Sequence, residues 1–412
     1  MASTVFTAAS GWVFWLVATH RWPSHDIGVA TATIAALTTI ALIAGQPISL
    51  TLLTFLPRTP DRRALLRAGL EVTIVVACLL SLLALVILPG RLNDIRTIGI
   101  APLFIIGSAA TAVGTILDAA ALAIRRSSLL VARNTGFGLG KMVLLVALAL
   151  PAGLVSAPFA IIVSWSVFAT LSCVWSYSRW FSTTESIEGH LDPEHRHNAR
   201  RDARRTLRSG IGLQVIGALG GTLPPQILSV IVIGVLGATR SGWFSITWLV
   251  GSLCFMVSPS VCQALLAEGS HTPQELSRRT RTAVIFSVSL LAGPILVYVF
   301  FGSFVLSFFG RDYGVHGGTL LGILALSTLP DLVTNVAVSR YRVQLRLARV
   351  AVINGVIAVV TLVIAAPFLR SFGINGAGWA WAVGQTTGCV VYAAYLLVDA
   401  KNAPRRGSMR LS

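Results

Sequence analysis

The 412-residue chain is 55% hydrophobic, only 11% charged, and carries a formal net charge of +17. A soluble protein of that composition would lack the polar surface to cover itself, so lipid is the solvent for most of this chain. The basic excess flanks apolar segments, where attraction to anionic membrane lipid accounts for it without a nucleic-acid partner.

Twelve apolar stretches follow one another at 4–20, 27–56, 64–89, 97–124, 128–150, 154–179, 208–237, 241–267, 281–309, 315–338, 348–369 and 374–398. A helix crosses a hydrocarbon layer of ~30 Å with about 20 apolar residues, and only helices or closed barrels satisfy their own backbone there. Runs such as Val72 to Leu88 and Ala351 to Phe368 show no alternation and outrun barrel strands. An all-α polytopic membrane protein of about twelve transmembrane helices is expected. The first stretch is short, with about 16 apolar residues after Met1, so a first helix that is incomplete or begins further upstream is expected there. Val5 to Ala18 has neither the basic flank nor the small-residue cleavage site of a signal peptide.

Lys and Arg fall in every second gap. The even-numbered loops and the C-terminal tail hold 25 of the 32, while the odd-numbered loops hold six: Arg21, Arg91, Arg96, Arg240, Arg311 and Arg370. Basic loops stay on the cytoplasmic side, which predicts a multi-pass protein of the cytoplasmic membrane with both termini inside the cell. The remaining cation, Lys141, lies within a stretch. The cysteines at 78, 173, 254, 262 and 389 sit unpaired in apolar spans and read as packing residues. His190, Asp192, Glu194, His195 and His197 have metal-ligand chemistry, but they share a charged loop where a solvated, flexible segment is the simpler reading.

Ser182 to Arg208 is the longest polar interval and divides six spans from six. Across it, Gly28 and Pro60 match Gly242 and Pro273; Thr115 and Asp118 match Thr328 and Asp331; Asn134, Gly153, Ala157 and Ala160 match Asn354, Gly373, Ala377 and Ala380. The separations are 213 to 214 residues early and 220 later, so one small insertion reconciles them. A tandem duplication follows, with lobes at 1–182 and 208–400, a cytoplasmic linker at 183–207 and a basic tail at 401–412. Six spans per lobe is even, so the lobes share one topology and are related by a pseudo-two-fold axis along the membrane normal, with a cleft between them.

Certain local sequences carry a family resemblance. Phe14-Trp15 with Ile27-Gly28-Val29-Ala30 at the first hairpin, Ala132-Arg133-Asn134 opening the fifth span, and Gly373-Ile374-Asn375-Gly376-Ala377-Gly378-Trp379-Ala380 at the last hairpin resemble the multidrug, oligosaccharidyl-lipid and polysaccharide export superfamily. Within it they resemble the O-antigen/polysaccharide lipid flippases. Many members begin with a longer first helix and some carry two further C-terminal spans; this chain shows neither. The resemblance implies a transporter rather than an enzyme, flipping an undecaprenyl-diphosphate-linked oligosaccharide to the outer leaflet by alternating access. It also implies no cofactor, and work beside other polysaccharide-assembly proteins.

Ionisable groups inside hydrocarbon cost several kcal/mol unless paired or wet, so each is a functional candidate. Lys141 stands about 13 residues, or ~20 Å, past the start of its helix, near mid-membrane. It is a candidate for the diphosphate, with an internal pair to Asp118 as the alternative. Arg133 and Asn134 open the fifth span, where Arg133 reads as a phosphate-catching group or as an interface anchor. The matched carboxylates Asp118 and Asp331 read as proton or sodium coupling sites, or as partners of Arg125, Arg126 or Arg340. Asn354 and Gln385 are buried amides suited to a sugar or to helix contacts. Gly136, Gly138, Gly140 and Lys141 imitate a phosphate loop, but Thr135 and Met142 stand where that motif needs glycine and Ser/Thr. Energy is therefore expected from an H⁺ or Na⁺ gradient, the membrane potential or the cargo gradient. Two other functions compete: an ion-coupled drug exporter using Asp118 or Asp331, and a membrane glycan polymerase or ligase. The latter is disfavoured by short odd-numbered loops that are poor in His and clustered carboxylates.

Overall fold

The computed structural model describes residues 2–59, 61–87, 100–150, 155–184, 212–255, 276–344 and 346–402. These form twelve α-helices. The first six are α1 (Ala2–Arg21), α2 (Ser24–Phe55), α3 (Arg62–Ile87), α4 (Ile100–Ala123), α5 (Ser127–Ala149) and α6 (Ala157–Thr184). The second six are α7 (Gly212–Leu236), α8 (Ala238–Phe255), α9 (Leu276–Ser307), α10 (Arg311–Val343), α11 (Leu347–Phe372) and α12 (Asn375–Asn402). Each falls on one expected stretch. Helix α10 runs four to five residues past its stretch at both ends, because backbone hydrogen bonding carries the helix beyond the apolar layer into the interface, where Arg311, Asp312, Arg340 and Arg342 are solvated. The second half of the eighth stretch, Cys262, the His190–His197 group and nearly all of the expected linker and tail lie outside the described residues.

Nine of the described helices are long and apolar enough to cross a membrane, and the protein is a multi-pass membrane protein. Its outer surface agrees. Val72, Val75, Leu79, Leu82, Leu83 and Val86 on α3, with Leu296, Phe300, Phe301, Phe304 and Phe308 on and just after α9, are exposed. Apolar surfaces of that extent belong in lipid. Helices α3 and α9 are also counterparts in the duplication.

The duplication recurs in the packing. In the first six helices α1 packs on α5, α2 and α3 on α4, and both α4 and α5 on α6; in the second six α7 packs on α11, α8 and α9 on α10, and both α10 and α11 on α12. Adding six to each label turns one set of pairs into the other, so the chain folds as two equivalent six-helix lobes.

The lobes meet where α2 packs against α7 and α8. At this seam a Cβ on Gly28 would lie 1.8 Å from the Ala238 carbonyl oxygen, and one on Gly242 would lie 2.2 Å from that of Ser24. These matched glycines thus let two backbones cross at contact distance, close to the connections α1–α2 and α7–α8. Around them one apolar cluster joins Phe14, Ile27, Ala30 and Ile34 to Ile246, Val250, Phe309 and Tyr313. Trp12 meets Phe309 edge to face across the seam at 5.3 Å, and within the second lobe Trp243 of α8 stacks on His316 of α10 at 3.8 Å. The seam therefore seals the face that carries the odd-numbered loops.

Helix α2 records where the seal ends. From Ile27 to Leu37 every residue is buried around the whole helix, whereas from Thr38 onward the half-exposed positions 38, 39, 42, 43, 46, 47 and 50 recur on one face. Past Thr38, whose hydroxyl donates to Gln226 of α7 at 3.1 Å, the two lobes diverge toward the even-loop face.

A larger side chain at the glycine crossing forces the lobes apart there. With spin labels on His25→Cys and Arg240→Cys, Gly28→Val should lengthen the label-to-label distance measured by pulsed electron resonance; an unchanged distance would show that the crossing does not set the seal.

Candidate functional site

Among the described residues, three polar centres lie inside the helical layer. The first joins α4 and α5. Arg133 Nε donates to Asp118 Oδ1 at 2.7 Å and its Nη2 to Oδ2, forming a two-pronged pair. Asn134 Nδ2 donates to Asp118 Oδ2 at 3.2 Å, and Arg133 Nη2 also donates to Asn134 Oδ1 at 3.0 Å. Gly114 makes room: a Cβ there would sit 2.6 Å from Arg133 Nη1. Arg133 is only 9% exposed. The partner of Asp118 is therefore not Lys141, Arg125 or Arg126, the three cations the sequence offered, and the guanidinium of Arg133 is turned inward instead of waiting at the mouth. Arg133 does not snorkel because Asp118 on the neighbouring helix α4 supplies a carboxylate within hydrogen-bond reach.

The second centre is Lys141, midway along α5. Its ammonium lies 4.3 Å from the ring centre of Trp165, 4.7 Å from Phe137 and 5.1 Å from Phe14. Three helices, α1, α5 and α6, supply these rings. Gly138 and Gly140, which imitated a phosphate loop, have the task of admitting Ser10 of α1 and Phe168 of α6 against the α5 backbone. No carboxylate comes within ion-pair distance of Lys141 among the described residues. A cation over a ring face gains about 2 kcal/mol when desolvated, while burying an ammonium costs several. The cage offsets much of that cost and leaves a net positive centre in the membrane.

The third centre is a cavity of about 250 Å³ wholly within the second lobe. Asp331, Asn354 and Gln385, brought in by α10, α11 and α12, all line it, with Thr334, Asn335, Ser252, Trp248 and Trp381. Thr334 donates to Gln385 Oε1 at 2.8 Å, and Asn335 Nδ2 donates to Asp331 Oδ2 at 3.0 Å. Trp248 and Trp381 meet edge to face at 5.4 Å. Arg340, offered by the sequence as a partner of Asp331, points its Nη1 to the Tyr392 hydroxyl at 3.5 Å. Helix α10 continues through Pro330, whose carbonyl accepts from Cys389 Sγ at 3.4 Å.

The seven candidate residues thus separate into a closed ionic cluster (Asp118, Arg133, Asn134), a caged ammonium (Lys141) and an open polar cavity (Asp331, Asn354, Gln385). Sequence reasoning missed Thr334 and Asn335, which follow Asp331 by one helical turn, a spacing that places them on its face. It also missed Phe14, Phe137 and Trp165 as a set, since no sequence signal joins rings from three helices.

No protein-family model matches the chain, and no curated protein sequence matches it. Solved structures do match. A multidrug resistance MATE family transporter of the MOP superfamily, in an inward-facing conformation, superposes with a TM-score of 0.67 at 12% identity, covering 97% of this chain and 96% of that one. The lipid II flippase MurJ, in an inward closed conformation, gives 0.74 at 11% identity over 96% and 87%. A MOP superfamily transporter from Pyrococcus furiosus gives 0.62 at 10% identity over 97% and 93%. The class of fold is that of membrane transporters built from two helical lobes. More particularly, the chain has the fold shared by MOP superfamily transporters, and at these identities the likeness is one of fold.

Removing Arg133 alone strands a carboxylate in a low-dielectric layer. Arg133→Met should lower stability by about 3–5 kcal/mol, whereas Arg133→Met with Asp118→Leu should recover much of it. Thermal unfolding in detergent measures both, and equal losses in the two variants would contradict the pairing.

Proposed function

We propose that this protein flips a lipid-diphosphate-linked oligosaccharide across the cytoplasmic membrane by alternating access of its two lobes. Lys141 carries the reading: an ammonium halfway through the bilayer, balanced by ring faces instead of a carboxylate, suits an anionic headgroup whose desolvation is the main barrier to crossing. Amides and indoles of the second-lobe cavity suit a glycan. In this reading the basic even-numbered loops face the cytoplasm, both termini lie there, and the glycine seam closes the external side, so the conformation is inward-facing. The diphosphate and sugars travel in the cleft while the lipid tail stays in the bilayer. Displacing Lys141 from its three rings is then a step of loading. Arg133 and Asn134 support this by fixing α5 against α4, with no direct contact to cargo required in this conformation.

A second reading is an ion-coupled exporter of cationic compounds, as the MATE likeness allows. One observation favours it: Asp331 lies in a cavity walled by Trp248 and Trp381, a setting that holds a proton, a sodium ion or an organic cation.

Two measurements separate them. In reconstituted vesicles Lys141→Ala should abolish translocation of a lipid-linked oligosaccharide while membrane expression is retained, and unchanged flipping would remove the first reading. Asp331→Asn should abolish gradient-driven efflux of a cationic dye if the second holds. Persistence of that efflux in the variant, or its absence in the native protein, would discard it.

A further inference from the structure

A buried polar atom without a partner favours any conformation in which it is wetted or bound. Among the described residues, five such atoms gather along the seam toward its odd-loop end: the indole N–H groups of Trp12 and Trp243, the Tyr313 hydroxyl, and the hydroxyls of Ser241 and Ser245. They come from both lobes. Trp12 and Trp243 pack on the apolar cluster that holds Ile27, Ile246 and Tyr313. Ser241 adjoins Gly242 at the crossing, and Ser245 follows one turn later on α8. Tyr313 is only 3% exposed. Other rings find acceptors: Trp22 donates to the Val155 carbonyl at 3.1 Å, Trp165 to the Thr111 hydroxyl at 3.2 Å and Tyr298 to the Val250 carbonyl at 3.2 Å. A serine can turn back onto its own helix, as Thr247 does onto the Trp243 carbonyl at 2.8 Å. Indole and phenol have no such local acceptor, so the three rings define the site. Trp12 and Trp243 are not an interfacial belt either, because belt tryptophans sit at headgroup level, whereas these N–H groups are shut from solvent.

We propose that Trp12, Trp243 and Tyr313 line a carbohydrate site in the odd-loop half of the cleft, hidden while the seam is closed and formed when the lobes part there. The inference rests on the alternating-access reading and adds to it the ligand of the opposite conformation: sugar units of the cargo, held on the release side. Its chemistry is that of a neutral polyol. Indole N–H and phenol groups hydrogen-bond to hydroxyls, while the ring faces cover the C–H faces of a pyranose. A phosphate has no buried cation to meet here, since Arg240 and Arg311, the nearest in sequence to Ser241 and Tyr313, are exposed. The orphaned donors also weigh against the closed seam, so a glycan that satisfies them in the parted state draws the population toward it.

The test uses the full chain in lipid nanodiscs with spin labels on His25→Cys and Arg240→Cys, and N,N′-diacetylchitobiose as a soluble glycan that has neither lipid nor phosphate. The sugar should lengthen the label-to-label distance across the seam, and pyrophosphate should not. Trp12→Phe, Trp243→Phe and Tyr313→Phe together keep the rings, remove the orphaned groups and should abolish the response. Should the triple variant not fold, each single variant must raise the sugar concentration needed for half the response about threefold, the usual effect of one lost hydrogen bond. No lengthening by the sugar, an equal response to pyrophosphate, or an unaltered response in the folded triple variant or in all three single variants would overturn the proposal. The two readings fail separately: an unresponsive seam with flipping still abolished by Lys141→Ala refutes the release-side site alone, whereas a responsive seam with flipping unchanged in Lys141→Ala refutes the assignment of Lys141 alone.

Discussion

Hydrocarbon gives a buried charge neither water nor counter-ions, so each ionisable side chain within the helical layer has to be balanced by the protein or by what the protein carries. Three solutions occur among the described residues. Arg133 and Asp118 neutralise one another through a two-pronged hydrogen-bonded pair braced by Asn134. Lys141 is held by three aromatic faces. Asp331 lines a cavity with amides, hydroxyls and indoles. The first solution fixes two helices to one another. The flipping reading proposed above assigns the second, Lys141, to the cargo.

The scaffold depends on backbone proximity where the lobes meet. Lipid supplies no hydrophobic drive for helices to associate, so close packing of small residues does that work. Gly28 and Gly242 allow the approach, and their matched positions put the contact on the axis relating the lobes. The alternating access proposed above requires motion about this seam.

Duplicated architecture with divergent chemistry explains why one chain holds both an ionic brace and an open cavity. Equivalent helices pair in equivalent ways, and the two lobes differ in the side chains placed between those helices.

The twelve helices and the duplication were readable from the sequence, though not the ends of α10, because a segment of about 20 apolar residues in lipid has one backbone solution and because matched residues such as Asp118 and Asp331 keep their spacing through a repeat. Depth was readable too, since rise along a helix is fixed, and it singled out Lys141. Rotation about each helix and the neighbours it meets were decided only by the tertiary structure. The sequence offered Asp118 the partners Lys141, Arg125 and Arg126, whereas its pairing with Arg133 rests on Gly114 leaving a space for that guanidinium. Lys141 found rings on α1, α5 and α6 instead of a carboxylate, and Asp331, Asn354 and Gln385, up to 54 residues apart in the chain, met in one cavity. These are contacts between helices, set by packing around the whole circumference of each, and no local pattern along a single helix encodes them.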